Sequence, residues 1–269
     1  MKIAVFNNKK SEFSKKCAQI VKKELKVAGA AFYECDAQSF EALTDIVIVV
    51  GGDGSILKIA DLSAYSGIPI LGVNTGRIGF LTETERVDQI ADAIRRLAAG
   101  EYRIDTRTML EVKSGAESFF ALNEVAISRA DNLNIVGITL KTDGEILEKY
   151  NGDGVLIATP TGSTAYSLSA GGPVLSPHVK AILVTPICPH TLHSRSIVVP
   201  DDTVIEVSAA LRGEGVVVVD GKKKITFINE GSFLIKKSSK KCSFVRFGGQ
   251  SFYSKLLSKL TQWSDISFD

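Results

Sequence analysis

The run Asp45-Ile46-Val47-Ile48-Val49-Val50-Gly51-Gly52-Asp53-Gly54-Ser55-Ile56-Leu57-Lys58 decides how the chain folds. The unbroken β-branched residues 46–50 suit a strand buried on both faces. Glycines then interrupt it before the apolar spacing turns helical at Ile56, Leu57, Ile59 and Ala60. A strand that stops, turns sharply and enters a helix aims several backbone N–H groups at one point, beside the positive end of a helix dipole. Glycine lets a bulky anion reach the main chain there. The expected ligand is a phosphate, received by Gly51, Gly52, Gly54 and Ser55. Asp53 does not suit that picture, because a fixed negative charge repels phosphate unless it binds a metal ion or takes a proton from an attacking group. Asp53 is therefore the candidate for chemistry. The turn lacks the third glycine of a dinucleotide fingerprint and the Gly-Lys-Ser/Thr of a Walker loop, so by itself it serves either an anion or chain geometry.

Outward from this turn, strands and helices alternate. Residues 3–6 read as a first strand, and Ser11 caps a helix whose apolar positions Phe13, Cys17, Ile20 and Val21 share a face. A strand follows near 31–33, another at 70–73, and then a helix with Val87, Ile90, Ala91, Ile94 and Leu97 on one side and Gly100 as its stop. This alternation predicts a parallel sheet with crossover helices. The stretch Asn74-Thr75-Gly76-Arg77-Ile78-Gly79-Phe80 is a second glycine-containing turn at a strand's carboxyl end, the edge where open α/β sheets hold ligands.

Past about residue 104 short alternating strands replace the helical spacing. Residues 109–113 and 118–122 flank a Ser-Gly turn, and 135–142 and 145–150 flank Asp143-Gly144, a strong hairpin signal. Further strands are expected at 181–184, 196–199, 203–209, 216–220, 225–228 and 243–247. Phe252, Leu256, Leu257, Leu260 and Trp263 fall at helical spacing. The expected organisation is an α/β domain with a parallel sheet over 1–104, a mostly β domain over 105–247, and a helix over 248–269 returning to the first domain.

Composition narrows the function classes. Among 269 residues, 32 Lys and Arg balance 30 Asp and Glu, so no long-range field favours nucleic acid. The lysines at 222–224, 236, 237, 240 and 241 read as solvated turns. Cys17, Cys35, Cys188 and Cys242 lie in apolar segments without CxxC spacing, which disfavours a disulfide framework or a zinc site and fits a reducing compartment. His190 and His193, in an extended segment, would face opposite sides, so no fixed protein ligands for a metal are expected. The apolar N-terminal run ends at Phe6 before Asn7, Asn8, Lys9 and Lys10, and no run approaches membrane-spanning length, so the expectation is a soluble cytoplasmic protein with no membrane partner.

The densest polar stretch runs from Tyr150-Asn151-Gly152-Asp153-Gly154 through a strand at 155–159 to Pro160-Thr161-Gly162-Ser163-Thr164-Ala165-Tyr166-Ser167-Leu168-Ser169. Pro160 to Gly162 reads as a turn and Ser163 or Thr164 as the cap of a short helix, with hydroxyls and N–H groups free to donate. Tyr166 offers a flat face for stacking on a base or for plain packing. A third stretch, Ala121-Leu122-Asn123-Glu124-Val125-Ala126-Ile127-Ser128, sets an amide beside a carboxylate in an apolar strand, where sugar hydroxyls would suit both.

Taken in this order, Gly51-Gly52-Asp53-Gly54, Asn74 to Leu81, Leu122-Asn123-Glu124, Gly152-Asp153-Gly154 and Thr159 to Ser167 resemble the NAD kinase family, over most of the chain from Asp45 to Asp220. The resemblance implies a two-domain fold of an α/β part and a β-rich part with NAD bound between them. It also implies phosphorylation of the 2′-hydroxyl of the adenosine ribose of NAD, giving NADP, with ATP as donor, a divalent metal (Mg²⁺ or Mn²⁺) as cofactor, and a homodimer or homotetramer.

Carried over by position, Asp53 would be the base near the 2′-hydroxyl and Gly54 a contact to the same ribose. Asn123 and Glu124 would hold ribose hydroxyls and the adenine side, and Asp153 would face the nicotinamide end. Thr161 and Thr164, Ala165, Tyr166, Ser167, Leu168 and Ser169 would line the adenosine pocket. Asn74, Phe80, Asn151 and Ala158 complete the implied NAD contacts. Some members carry Arg or Lys where Asn151 stands. The first turn alone is shared with lipid kinases and phosphofructokinases, so a lipid or sugar kinase and a non-catalytic dinucleotide sensor remain the rival readings.

Overall fold

A computed structural model describes residues 1–8, 11–76, 79–130, 134–248 and 251–264; Lys9, Lys10, Arg77 and Ile78 lie outside them. The chain divides into two compact units, Met1–Thr106 with Cys242–Asp269, and Arg107–Lys241.

The first unit begins with β1 (Lys2–Asn7), α1 (Glu12–Val27), β2 (Ala31–Cys35), β3 (Ile46–Val50), α2 (Asp53–Ser66), β4 (Ile70–Val73) and α3 (Gln89–Ala98). The strands are parallel in the order β2-β1-β3-β4, as the alternation predicts. Every residue of β3 is buried. One side of the sheet is packed by Cys17, Val21 and Leu25 of α1 and by Ile90, Ile94 and Leu97 of α3, in one cluster with Ile3, Ile48 and Leu71. Ile56, Ile59 and Ala60 of α2 are fully buried too, and each of the two isoleucines contributes about 1.5–3 kcal/mol. Ser11 caps α1, its side chain accepting the Ser14 N–H at 3.1 Å. Phe13 is 50% exposed, because the buried stripe runs through Ser14, Ala18, Val21 and Leu25 and leaves Phe13 at its edge. On α3 the buried alanine is Ala93; Ala91, a third of a turn off the stripe, faces water.

The second unit is antiparallel. It comprises β5 (Arg103–Ser114, starting in the first unit), β6 (Glu117–Ala121), β7 (Glu124–Arg129), β8 (Val136–Thr142), β9 (Glu145–Gly152), β10 (Gly154–Ala158), α4 (Tyr166–Ser169), β11 (Ala181–Ile187), β12 (Ile197–Pro200), β13 (Ile205–Val219) and β14 (Lys222–Arg246). Strands β12, β11, β10, β7 and β13 pair in that order. The β8–β9 hairpin turns through Asp143 and Gly144 at φ +51° and +80°, the geometry that Asp-Gly favours.

The strands expected separately at 203–209 and 216–220 are one strand, and those at 225–228 and 243–247 belong to another. Gly213 (φ +111°) and Asn229 (φ +61°) face each other at a register shift, and the Asn229 side chain accepts the Gly213 N–H at 3.1 Å. A bulge bends the pair without ending it. The lysines expected in turns therefore stand along β14; Lys237 pairs with Asp201 at 2.8 Å.

The end of β14 returns to the first unit, where Phe244 pairs with Ile70 of β4, and α5 (Phe252–Ser264) closes it. Leu257 is 69% exposed, whereas Phe252 and Leu256 of the expected face are half-buried, because the packed side of α5 runs through Phe252 and the buried Lys255 and leaves Leu257 off it. The side chains of Leu260 and Trp263 lie outside what is described.

Candidate active site

The turn after β3 makes Gly52 the N-cap of α2 and Asp53 its first residue. A side chain on Gly51 would collide with Ser55 Oγ, so the strand can enter the helix this tightly only with glycine there. The Gly51 N–H donates to Val73 C=O at 2.9 Å and the Ser55 N–H to Gly52 C=O at 2.8 Å. Two of the amides expected to receive an anion are thus turned inward, which moves that role toward the N–H groups at 52–54.

The Asp53 carboxylate reaches across to the turn after β4. Its Oδ2 accepts the Phe80 N–H at 2.8 Å and its Oδ1 the Leu81 N–H at 3.1 Å. Gly79 has to be glycine for this, since a Cβ there would meet Asp53 Oδ1. Asn74, buried, shapes the same turn through Oδ1, which accepts the Gly76 N–H at 3.0 Å. The Asp53 side chain keeps 28% exposure, and Lys259 Nζ lies 4.0 Å from its Oδ2. Asp53, Phe80 and Asn74 are therefore brought together; Lys259 is a neighbour that the sequence did not announce.

In the second unit the polar stretch is held by its own hydroxyls. Thr159 Oγ1 donates to Leu122 C=O at 2.6 Å and accepts the Gly162 N–H at 3.0 Å, and the Ser163 hydroxyl donates to Pro160 C=O at 2.7 Å. Ser167 and Thr185 share a hydrogen bond at 2.9 Å. The hydroxyls of Thr159, Ser163 and Ser167 are thus engaged within the protein, because a buried turn must satisfy its own carbonyls first. The short helix α4 starts after Ala165 with no side-chain cap, against the expectation for Ser163 or Thr164. Thr161 is buried beside Arg107, at 3.4 Å, while Tyr166 is 47% exposed.

Asn123 lies in the bend between β6 and β7 rather than within a strand, and Glu124 opens β7. Opposite Glu124 stands Ala158 of β10, the Asn123 C=O accepts the Thr159 N–H at 2.8 Å, and a side chain on Gly162 would strike that same carbonyl. Asn123, Glu124, Ala158 and Thr161 thus gather at one end of β10. At its other end, about 16 Å of strand away, Asp153 pairs with Arg129 at 2.9 Å and the exposed Asn151 accepts the His190 N–H at 2.8 Å on its backbone carbonyl. His190 and His193 stand in a bend and turn between β11 and β12, not in an extended segment.

Asp220 organises the first of these groups. Its carboxylate accepts the N–H groups of Leu122 at 2.7 Å, Asn123 at 2.8 Å and Glu124 at 3.1 Å. Burial raises its pKa against those three bonds and Lys222. Burial first, and then the Asp220 charge, push Glu124 up to about 8, and Glu124 Oε2 is buried with no hydrogen-bond partner among the described residues. The sequence signal for Asp220 was only an Asp-Gly pair, and the pair does turn at φ +47° and +74°. Cys188, expected in an apolar segment, is exposed.

Comparisons with known proteins converge. Residues 2–102 match the family model described as ATP-NAD kinase N-terminal domain, and residues 122–247 the ATP-NAD kinase C-terminal domain. The chain is 42% identical to an NAD kinase of Heliobacterium modesticaldum over 81% of its length and 79% of the relative's. It is 38% identical to one of Caldicellulosiruptor saccharolyticus over 97% and 100%. Among solved structures, an NAD kinase from Archaeoglobus fulgidus in complex with ATP superposes with a TM-score of 0.80 at 28% identity, over 97% of this chain and 99% of that one. A yeast NADH kinase complexed with NADH gives 0.84 at 22% identity, over 100% and 90%, a likeness of fold.

Proposed function

Since the chain belongs to the NAD kinase family, we propose that it transfers the γ-phosphoryl group of ATP to the 2′-hydroxyl of the adenosine ribose of NAD, releasing ADP and NADP. The observation that carries this reading is the Asp53 carboxylate, fixed by two main-chain N–H groups at the mouth of a glycine turn and still partly open to solvent. A ribose hydroxyl is a poor nucleophile at neutral pH, and phosphoryl transfer depends chiefly on alignment and on neutralising the phosphate oxygens. As the bond from O2′ to the γ-phosphorus forms and the bridging P–O bond breaks, the hydroxyl proton passes to Asp53. Such a base contributes about 10²- to 10⁴-fold.

In this reading Gly52 and Gly54 present main chain to the phosphates, Asn123 and Glu124 hold ribose hydroxyls, and Thr161 with 164–169 receives the adenosine, Tyr166 stacking on a base. Asp153 faces the nicotinamide end. No group of three or more His, Cys, Asp or Glu among the described residues is placed to hold a metal. A divalent ion would then arrive on the nucleotide, bound by phosphates and water, where it neutralises charge on the transferring group. A homodimer or homotetramer in the cytoplasm completes the proposal. Purified protein given ATP, Mg²⁺ and NAD should form NADP, read with an NADP-specific dehydrogenase; no NADP would return the lipid or sugar kinase and the dinucleotide sensor as the readings to test.

A further inference from the structure

Helix α5 lies outside both matched family segments, yet it sits on the Asp53 corner. Three of its residues, one turn apart, face the segment after β4. Phe252 packs on Phe80 with ring centroids 5.9 Å apart, Lys255 Nζ donates to Thr82 C=O at 2.7 Å, and Lys259 Nζ stands 4.2 Å from the centroid of the Phe80 ring. Phe80 is also the residue whose N–H holds Asp53 Oδ2. Lys259 is therefore held between an aromatic face and a carboxylate oxygen 4.0 Å away, too far for a hydrogen bond but close enough for charge to act. The side chain is largely covered, with 18% exposure. Burial pulls its pKa down and the Asp53 charge pulls it back up.

The arrangement answers a difficulty built into the corner. A carboxylate that must sit beside a triphosphate repels it, and the backbone N–H groups that hold Asp53 carry no net charge. We propose that Lys259 is a positioning residue for Asp53: its ammonium offsets the carboxylate's charge toward the incoming triphosphate and keeps the acid seated on the turn at 79–81. This rests on Asp53 being the base of the proposed reaction.

The test is a double-mutant cycle read by ATP binding as well as by turnover. Lys259→Met keeps the aliphatic stem and removes the charge. In the otherwise native protein it should weaken ATP binding in calorimetry by about tenfold and lower kcat by about 10- to 100-fold, with KM for NAD nearly unchanged. Lys259→Arg should recover most of both. With Asp53→Asn, Lys259→Met should still weaken ATP binding, because the two charges act on the triphosphate additively, but should change the residual kcat by no more than about twofold, since no carboxylate is left to seat. Equal losses of kcat in both backgrounds would overturn the proposal in favour of a direct phosphate contact. So would unchanged ATP binding and kcat in Lys259→Met, or a loss that Lys259→Arg does not restore. If the native protein itself makes no NADP, the reading of the reaction fails, a result separate from any of these.

Discussion

Asp53 and Asp220 use their carboxylates alike: each receives N–H groups from a loop distant in sequence, Phe80 and Leu81 for one, Leu122, Asn123 and Glu124 for the other. They differ in what surrounds the acid. Asp53 has solvent on one side and an ammonium on the other, whereas Asp220 is half-buried next to a second carboxyl group, and its surroundings raise its pKa. The same hydrogen-bonding device therefore serves two ends. An acid at a glycine turn with a cation beside it can meet a substrate, and one whose oxygens are taken by three main-chain N–H groups holds a loop.

The largest effect that would break this contrast is on turnover. Asp53→Asn should lower kcat by about 10²- to 10⁴-fold while NAD binding, measured by calorimetry, stays within a few-fold; near-native kcat would place Asp53 with Asp220 as scaffolding. Asp220→Asn keeps the turn conformation but sets an NH₂ group against one of the three N–H donors. It should cost about 3 kcal/mol in urea denaturation, with activity lost in step with the fold.

Glu124 gives the contrast a pH signature. The folded protein keeps its proton up to about pH 8, against 4.5 for an ordinary glutamate. Between those values the folded form binds the extra proton, so stability falls as pH rises, and Asp220 adds a share of the same sign. Wild type should lose about 3 kcal/mol between pH 5.5 and 8, a loss that Glu124→Gln, neutral throughout, should largely remove when the two are compared by denaturation midpoint.

The smallest effects come from a pair of glycines. A side chain at 162 would meet the backbone carbonyl of Asn123, which cannot give, and one at 79 would meet the Asp53 carboxylate, which can. Gly162→Ala should cost about 1–3 kcal/mol of stability. Gly79→Ala should leave the melting temperature nearly unchanged and lower kcat by about tenfold.

What could be read beforehand was what neighbours in sequence decide. The cap at Ser11, the all-buried β3 and the Asp143-Gly144 hairpin depend on residues within a few positions, and their residue types imposed them. Asp53 stood out because an acid in a glycine turn is chemically odd. Its seat on Phe80 and Leu81, 27 and 28 positions away, left no local trace. Asp220 was hidden in plain view, since Asp-Gly satisfies a hairpin before it suggests anything else. The continuity of β13 escaped because the bulge needs Asn229 on the partner strand to accept from Gly213. Lys259 has no signal in the sequence, because the neighbours that give it meaning, Phe80 and Asp53, lie far from it along the chain.

The pairing of Phe244 with Ile70 has a bearing on how the molecule comes into being. A ribosome releases the first four parallel strands long before the segment that completes their edge, and Arg107–Lys241 emerges in the interval. The inserted piece has all its own partners at hand and can settle first. The earlier piece has to wait, with the flank of β4 uncovered, until the segment carrying Phe244 has been made.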